Sequence, residues 1–197
     1  MARWLFIFIL MTGCQSPEVK QFDNACDFLA KKSDWYRYVA ESHSDWGVSS
    51  GLILAVIHQE SSFKAEAGHK TKYLLGFIPW GRISSAYGFA QAKDAVWGEY
   101  MAERGGLLTE RSRFKDAADF VGWYLNRLSK QLNIDKSDGY RLYLAYHDGP
   151  TGYRKKTYKA KDWLIKVAKK VSDQAKNYDS QISRCRFKLK IKSLSIF

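Results

Sequence analysis

The sequence predicts a mainly α-helical, single-domain protein. Three observations carry that expectation: apolar residues recur at helical spacing along most of the chain, one short segment alone alternates like a strand, and 197 residues with 46% hydrophobic content suffice for one buried core. An aromatic content of 15% argues against a disordered chain, and 14 glycines without a period argue against a collagen-like one. No run of 18 apolar residues exists, which argues against a polytopic membrane protein.

The elements follow in chain order. Met1-Ala2-Arg3 is positively charged, Trp4–Met11 is apolar, and small residues precede Cys14, the layout of a secretory signal over residues 1–13. The alternative is that Trp4–Met11 begins a core helix. Met11-Thr12-Gly13-Cys14 resembles the bacterial lipoprotein lipobox, which implies that Cys14 is lipidated. The box departs from the usual pattern in having Met where Leu is common. Residues 14–21 read as a polar tether, and Gln15 in place of Asp favours the outer membrane, so the chain is expected in the cell envelope, exported and lipid-anchored. From Phe22 the pattern turns helical. Trp35, Tyr38, Val39 and Trp46 mark a helix over Asp34–Trp46. Ser49 or Ser50 caps a second helix through Leu52, Ile53, Val56 and Ile57. The stretch from Gly68 to Gly88 reads as loop, rich in glycine and aromatics. Ala118, Val121, Leu125, Leu128 and Leu132 place a long helix over about Lys115–Asn133, and two more are expected over Asp138–His147 and Ala160–Tyr178. Phe187–Lys192 alternates apolar with cationic residues and predicts a strand. The folded domain is thus expected over 22–197, with a basic extension at 184–197.

Charge is unevenly spread. The formal net charge is +12, yet residues 154–192 hold fourteen basic residues against three acidic ones, so the body before them is nearly neutral. For an exported chain this points to peptidoglycan carboxylates, an anionic membrane surface or a merely solvated face, and away from nucleic acid. With Cys14 set aside, Cys26 and Cys185 form one pair that an oxidising compartment would close into a disulfide; two unrelated buried thiols are the alternative. No CxxC or HxxxH spacing suggests a metal, and none is expected. His58-Gln59-Glu60 has the H-x-E spacing of zinc deaminases without their P-C-x-x-C.

Glu60 extends the apolar stripe of its own helix, three, four and seven residues after Ile57, Val56 and Ile53. A carboxyl so placed is turned toward the core or the lip of a cleft, where desolvation raises its pKa toward that of a general acid at neutral pH. A cap on a neighbouring helix or a pair with a buried lysine would place it there equally well.

At this point three motifs line up. Glu60-Ser61-Ser62-Phe63 resembles the ES-x-F motif of soluble-type (SLT) lytic transglycosylases, glycoside hydrolase family 23. Ala86-Tyr87-Gly88-Phe89-Ala90-Gln91 resembles the A-x-G-L-M-Q segment. Ala145-Tyr146-His147-Asp148-Gly149-Pro150 resembles A-Y-N-A-G-P. The resemblance implies the lysozyme-like fold shared with goose-type lysozyme, peptidoglycan glycan strands as partner, no cofactor, and cleavage of the MurNAc–GlcNAc β-1,4 bond with a 1,6-anhydro product. It implies Glu60 as the single acid and base, Tyr146 bonding the carboxyl or the sugar acetamido group, Gln91 donating its amide to sugar, and Ser84 or Ser85 contacting substrate. Tyr87 and Trp80 are candidate sugar platforms, and Phe63 a residue that keeps the acid dry. Core or surface roles remain open for Tyr146, Gln91 and Trp80 on the residues alone. Departures are His147 for Asn, Asp148 at a non-acidic position, Ala65 for Pro, and the long Gly68–Ser85 stretch. The competing expectations are a goose-type muramidase that admits water and a non-catalytic peptidoglycan-binding lipoprotein. A monomer is expected.

Overall fold

The computed structural model describes residues 22–68, 71–74, 78–82 and 84–194. The expected signal, the lipidation at Cys14, the tether and the side chain of Trp80 lie outside the described residues. Seven α-helices are present among them: α1 (Ala25–Lys31), α2 (Ser33–Trp46), α3 (Ser50–Ser61), α4 (Asp94–Arg104), α5 (Phe114–Leu132), α6 (Gly139–Arg154) and α7 (Asp162–Leu194). The chain is mainly helical, as its periodicity predicts.

Helix α3 is the centre. Gly51 through Ile57 are all buried, and a helix apolar on every side forms only inside other helices. Ser49 starts it, its Oγ accepting from the Leu52 N–H at 3.1 Å. Helices α2, α5 and α7 surround it. Gly51 sets the closest approach: a Cβ there would lie 2.3 Å from the Ala175 carbonyl oxygen of α7. Its N–H donates to Asp179 Oδ1 at 2.7 Å, so α3 and α7 meet backbone to backbone and side chain to backbone. Helix α5 buries Ala118, Val121, Leu125 and Leu128, the stripe read from sequence, and ends at Asn133 in the left-handed region (φ 51°).

Four elements differ from expectation. Helices α1 and α4 carry no long apolar stripe; α1 is only seven residues, started by Asn24, whose side chain accepts from Cys26 N–H. Part of the Gly68–Gly88 stretch forms an antiparallel hairpin, β1 (Thr71–Leu74) with β2 (Ile78–Arg82), in which Leu74 faces Ile78. The predicted strand over Phe187–Lys192 is instead helical, and α7 runs unbroken through Tyr178 to Leu194. Its alternation misleads because only Leu189, 1% exposed, turns inward; Phe187 and Ile191 point out.

Helix α1 lies along the second half of α7. The Ala25 N–H donates to Gln181 Oε1 at 2.7 Å, the Tyr178 hydroxyl donates to the Phe22 carbonyl at 2.7 Å, and Lys192 Nζ donates to the Ala30 carbonyl at 3.2 Å. Cys26 and Cys185 are joined by a disulfide across 159 residues.

Candidate active site

Glu60 stands in the last turn of α3, and the chain leaves that helix abruptly. Ser62 (φ 50°) and Phe63 (φ 59°) are both left-handed. A bulky residue held there costs about 1–3 kcal/mol, sustained by packing around it. The packing is visible: the Phe63 ring sits 4.6 Å from Phe22, 5.4 Å from Phe28, 5.5 Å from Trp35 and 5.3 Å from His58, centroid to centroid. Phe63 thereby fixes the turn that follows the acid from the core side. His58 joins the same cluster. The Tyr178 hydroxyl spends its proton on Phe22, so His58 Nδ1, 2.9 Å away, is the donor to that hydroxyl. Burial lowers the His58 pKa, helped by Lys170 and opposed by Asp23. No cluster of metal-ligating side chains is found among the described residues.

Glu60 opens into a groove of about 490 Å3. One wall comes from Ser84, Ala86, Gln91, Ala92 and Lys93, the other from Tyr146 to Pro150 of α6, and Val96, Phe120 and Tyr124 complete the lining. The first wall depends on Gly88. With φ 80° and a Cβ position 2.2 Å from the Arg111 carbonyl, no side chain fits. Its N–H donates to Ala67 at 2.8 Å, while Phe89 N–H donates to Arg111 at 3.2 Å, pinning the segment from both sides. The second wall is a kinked helix: Gly149 (φ 72°, ψ 168°) and Pro150 interrupt α6 beside the groove.

The carboxyl itself is held by a residue the sequence reading missed. The Tyr143 hydroxyl donates to Glu60 Oε1 at 2.9 Å. Tyr146 was expected to bond the carboxyl or the sugar; its hydroxyl instead donates to the Ala90 carbonyl at 2.7 Å, tying the two walls together. The two tyrosines are i and i+3 on α6 with near-parallel rings, 6.4 Å apart at 10°. The available signal was that spacing: a second tyrosine one turn before the motif tyrosine shares its face. Desolvation raises the Glu60 pKa from 4.5 to about 7, against the lowering effect of the Tyr143 hydrogen bond. Burial likewise raises the Tyr143 and Tyr146 phenols, with the Glu60 charge adding to it.

The other expected contacts divide. Ser84 lines the groove and Ser85 does not. The Ser84 Oγ accepts from Ala86 N–H at 3.1 Å, and the Ser85 Oγ accepts from Asp94 N–H at 3.2 Å. Gln91 lines the groove, but both protons of its amide are engaged, on Ala67 at 2.8 Å and Gly88 at 3.0 Å. Its Oε1 is therefore the group with which Gln91 meets a ligand, as an acceptor rather than the expected donor. Tyr87, expected as a platform, does not line the groove; its backbone bridges Gly68 and Ala92.

Asp148 is the second carboxylate on the groove wall, its side chain 2% exposed. Lys161 Nζ donates to Oδ1 at 2.6 Å, the Thr157 hydroxyl to Oδ2 at 2.7 Å, and His147 Nδ1 to Oδ1 at 2.9 Å. Burial pushes this carboxyl up, but those hydrogen bonds and the Lys161 charge outweigh it and hold it at about 2. His147 in turn meets the half-exposed Trp163 edge-on at 5.1 Å. Two carboxyls at one groove therefore carry opposite electrostatics, one favouring its proton and one fixed as an anion.

A mainly helical fold in which the ES-x-F, Gly-x-x-Gln and A-Y-x-x-G-P segments meet at one groove is that of a lysozyme-like transglycosylase domain. The family model described as "Transglycosylase SLT domain" matches residues 2–185, so the chain belongs to that family, whose activity is lytic transglycosylation of peptidoglycan. A search of curated proteins finds no match.

Proposed function

We propose that this chain is a lipid-anchored lytic transglycosylase of the bacterial cell envelope that cleaves the MurNAc–GlcNAc β-1,4 bond and leaves a 1,6-anhydro-MurNAc end, with Glu60 as its only acid and base. The observation that carries this reading is the Glu60 carboxyl, raised to about 7 at the groove. A group poised there holds its proton well enough to donate it and releases it easily enough to work again as a base.

In the proposed reaction Glu60 acts twice. Tyr143 donates to Oε1, which leaves Oε2 to carry the proton. That proton passes to the glycosidic oxygen as its bond to C1 breaks, and the sugar's own 2-acetamido oxygen stabilises the electron-poor C1. The Glu60 carboxylate then takes the proton of the C6 hydroxyl as O6 bonds to C1 and closes the anhydro ring. Atoms balance without water. Asp148 has no part as a second base: Lys161, Thr157 and His147 occupy its oxygens, and its affinity for a proton is too low near neutral pH. The groove's Gln91 Oε1 and Ser84 are the polar groups that orient sugar.

Anchoring rests on the charged start, the apolar Trp4–Met11 run and the lipobox-like Met11–Cys14. Growth on labelled palmitate followed by detection of label on wild type but not on Cys14→Ser tests it. For the chemistry, purified murein is digested by wild type and by Glu60→Gln and the products are weighed by mass spectrometry. Anhydro products, one water lighter than hydrolytic ones, are expected from wild type, with turnover reduced about 100- to 10,000-fold in Glu60→Gln. Reducing-end products would instead identify a muramidase, and undiminished cleavage by Glu60→Gln would remove the acid from its role.

A further inference from the structure

The last three turns of α7 carry a surface that catalysis does not use. Ile182, Leu189 and Ser193 face the core there. On the opposite side Phe187 is 79% exposed, Leu194 63% and Ile191 50%. Their spacing of i, i+4 and i+7 makes one continuous ridge on a helix. Three of the six exposed large hydrophobics among the described residues thus fall within eight residues. Basic side chains bracket the ridge. Arg184, Lys188 and Lys192, spaced by four, run along one flank, and Arg186 with Lys190 runs along the other; all five are exposed. No acidic residue occurs from 184 to 194.

A cationic face that served only to stay hydrated would not interpose Phe187 and Leu194 between its charges. An apolar ridge between two basic rows is the pattern of a helix lying in a lipid interface, with side chains of the ridge among the acyl chains and the rows at headgroup phosphates. The course of the chain agrees. Residues 22–31 lie against the 178–192 half of α7 through Phe22–Tyr178, Ala25–Gln181, Cys26–Cys185 and Ala30–Lys192. Phe22, where the described residues begin, therefore stands at the half of α7 that bears the ridge, and the sequence before it carries the apolar Trp4–Met11 run. The groove is served from the other end, where Trp163 touches His147. We infer that the Phe187–Leu194 face docks on an anionic lipid bilayer. The groove then lies roughly 36 Å along α7 from the docked face, the length of helix between Trp163 and Phe187.

This inference stands apart from the catalytic reading and is tested without activity. The full chain carrying Cys14→Ser, hence without an acyl group, is sedimented with vesicles of phosphatidylcholine alone or with about a third phosphatidylglycerol. Phe187→Ser/Leu194→Ser and Arg186→Glu/Lys190→Glu are made in the same background, so any contribution of residues 1–21 is common to all three. The parent is expected to bind the anionic vesicles, to bind neutral ones at least tenfold more weakly, and to lose affinity as salt rises. Each charge is worth about fivefold near such a surface, and the reversal of two predicts a loss well beyond tenfold. The apolar pair is expected to lose tenfold or more, with unchanged circular dichroism and melting. Three outcomes overturn the proposal: variants that bind anionic vesicles as the parent does, a parent indifferent to lipid charge, or ridge substitutions that abolish binding to murein sacculi or a self-associated dimer while vesicle binding persists.

Discussion

Two tyrosines one helical turn apart divide the work that sequence motifs assign to one. Tyr143 touches the acid and Tyr146 braces the walls. Because the Tyr143 hydrogen bond lowers the Glu60 pKa, Tyr143→Phe is expected to raise it further. The alkaline limb of kcat/KM, expected near pH 7 for wild type, is then expected to move up by about half a unit to one unit, as one hydrogen bond of about 1 kcal/mol implies; a pH–rate profile on soluble muropeptides checks it. Asp148 behaves oppositely. Its folded pKa of about 2 lies below its ordinary 3.8, so its stabilising effect is present above pH 3.8 and lost as pH falls through about 2. Asp148→Ala strands Lys161 beside the groove and is expected to cost about 2–3 kcal/mol at pH 7, read by urea unfolding. The acid was legible from its place on an apolar stripe. Tyr143 was not, because periodicity marks a face and cannot say which of two phenols on it reaches a partner.

At the level of elements, the sequence is most readable where one face is buried and least where burial is total or slight. Helices α2 and α5 announce themselves by stripe, and α3 by its apolar run and serine cap. Helix α1, with seven residues, offers too few turns for a period to show. The end of α7 deceives because lysines alternate with apolar residues there, and a period of two says nothing about which apolar residue is buried once a helix continues through it. The hairpin is likewise hidden by Pro79 and Gly81, which lie within β2 itself. Close backbone approaches give the sharpest element-level test. Gly51→Ala drives a methyl against the Ala175 carbonyl and Gly88→Ala drives one against Arg111, where the backbone is also left-handed. Each is expected to lower stability by about 2 kcal/mol or more. Gly88→Ala should in addition reduce turnover, since it displaces the wall that carries Gln91; calorimetry beside a turbidity assay on murein separates the two effects.

Across the whole molecule, the desolvated acid costs folding free energy. The Glu60 pKa is raised from 4.5 to about 7, so the native state holds the proton more tightly than the unfolded chain. Stability therefore falls as pH rises from about 4.5 and levels off above about 7. Glu60→Gln is expected to melt higher than wild type above pH 7 and equally near pH 4, in thermal scans at both values. That gain on losing activity is the signature of a site held against its own stability.

The Cys26–Cys185 bond adds a property of a different kind. Every residue that builds the groove, from Glu60 to Pro150, belongs to the covalent ring that this bond closes. In the chain-entropy description such a ring is worth about 5 kcal/mol, and dithiothreitol is expected to lower the melting temperature by about 10 °C. A protease that nicks the hairpin once would release no fragment: the two pieces travel as one species until a reductant parts them, and the severed enzyme keeps both banks of its cleft.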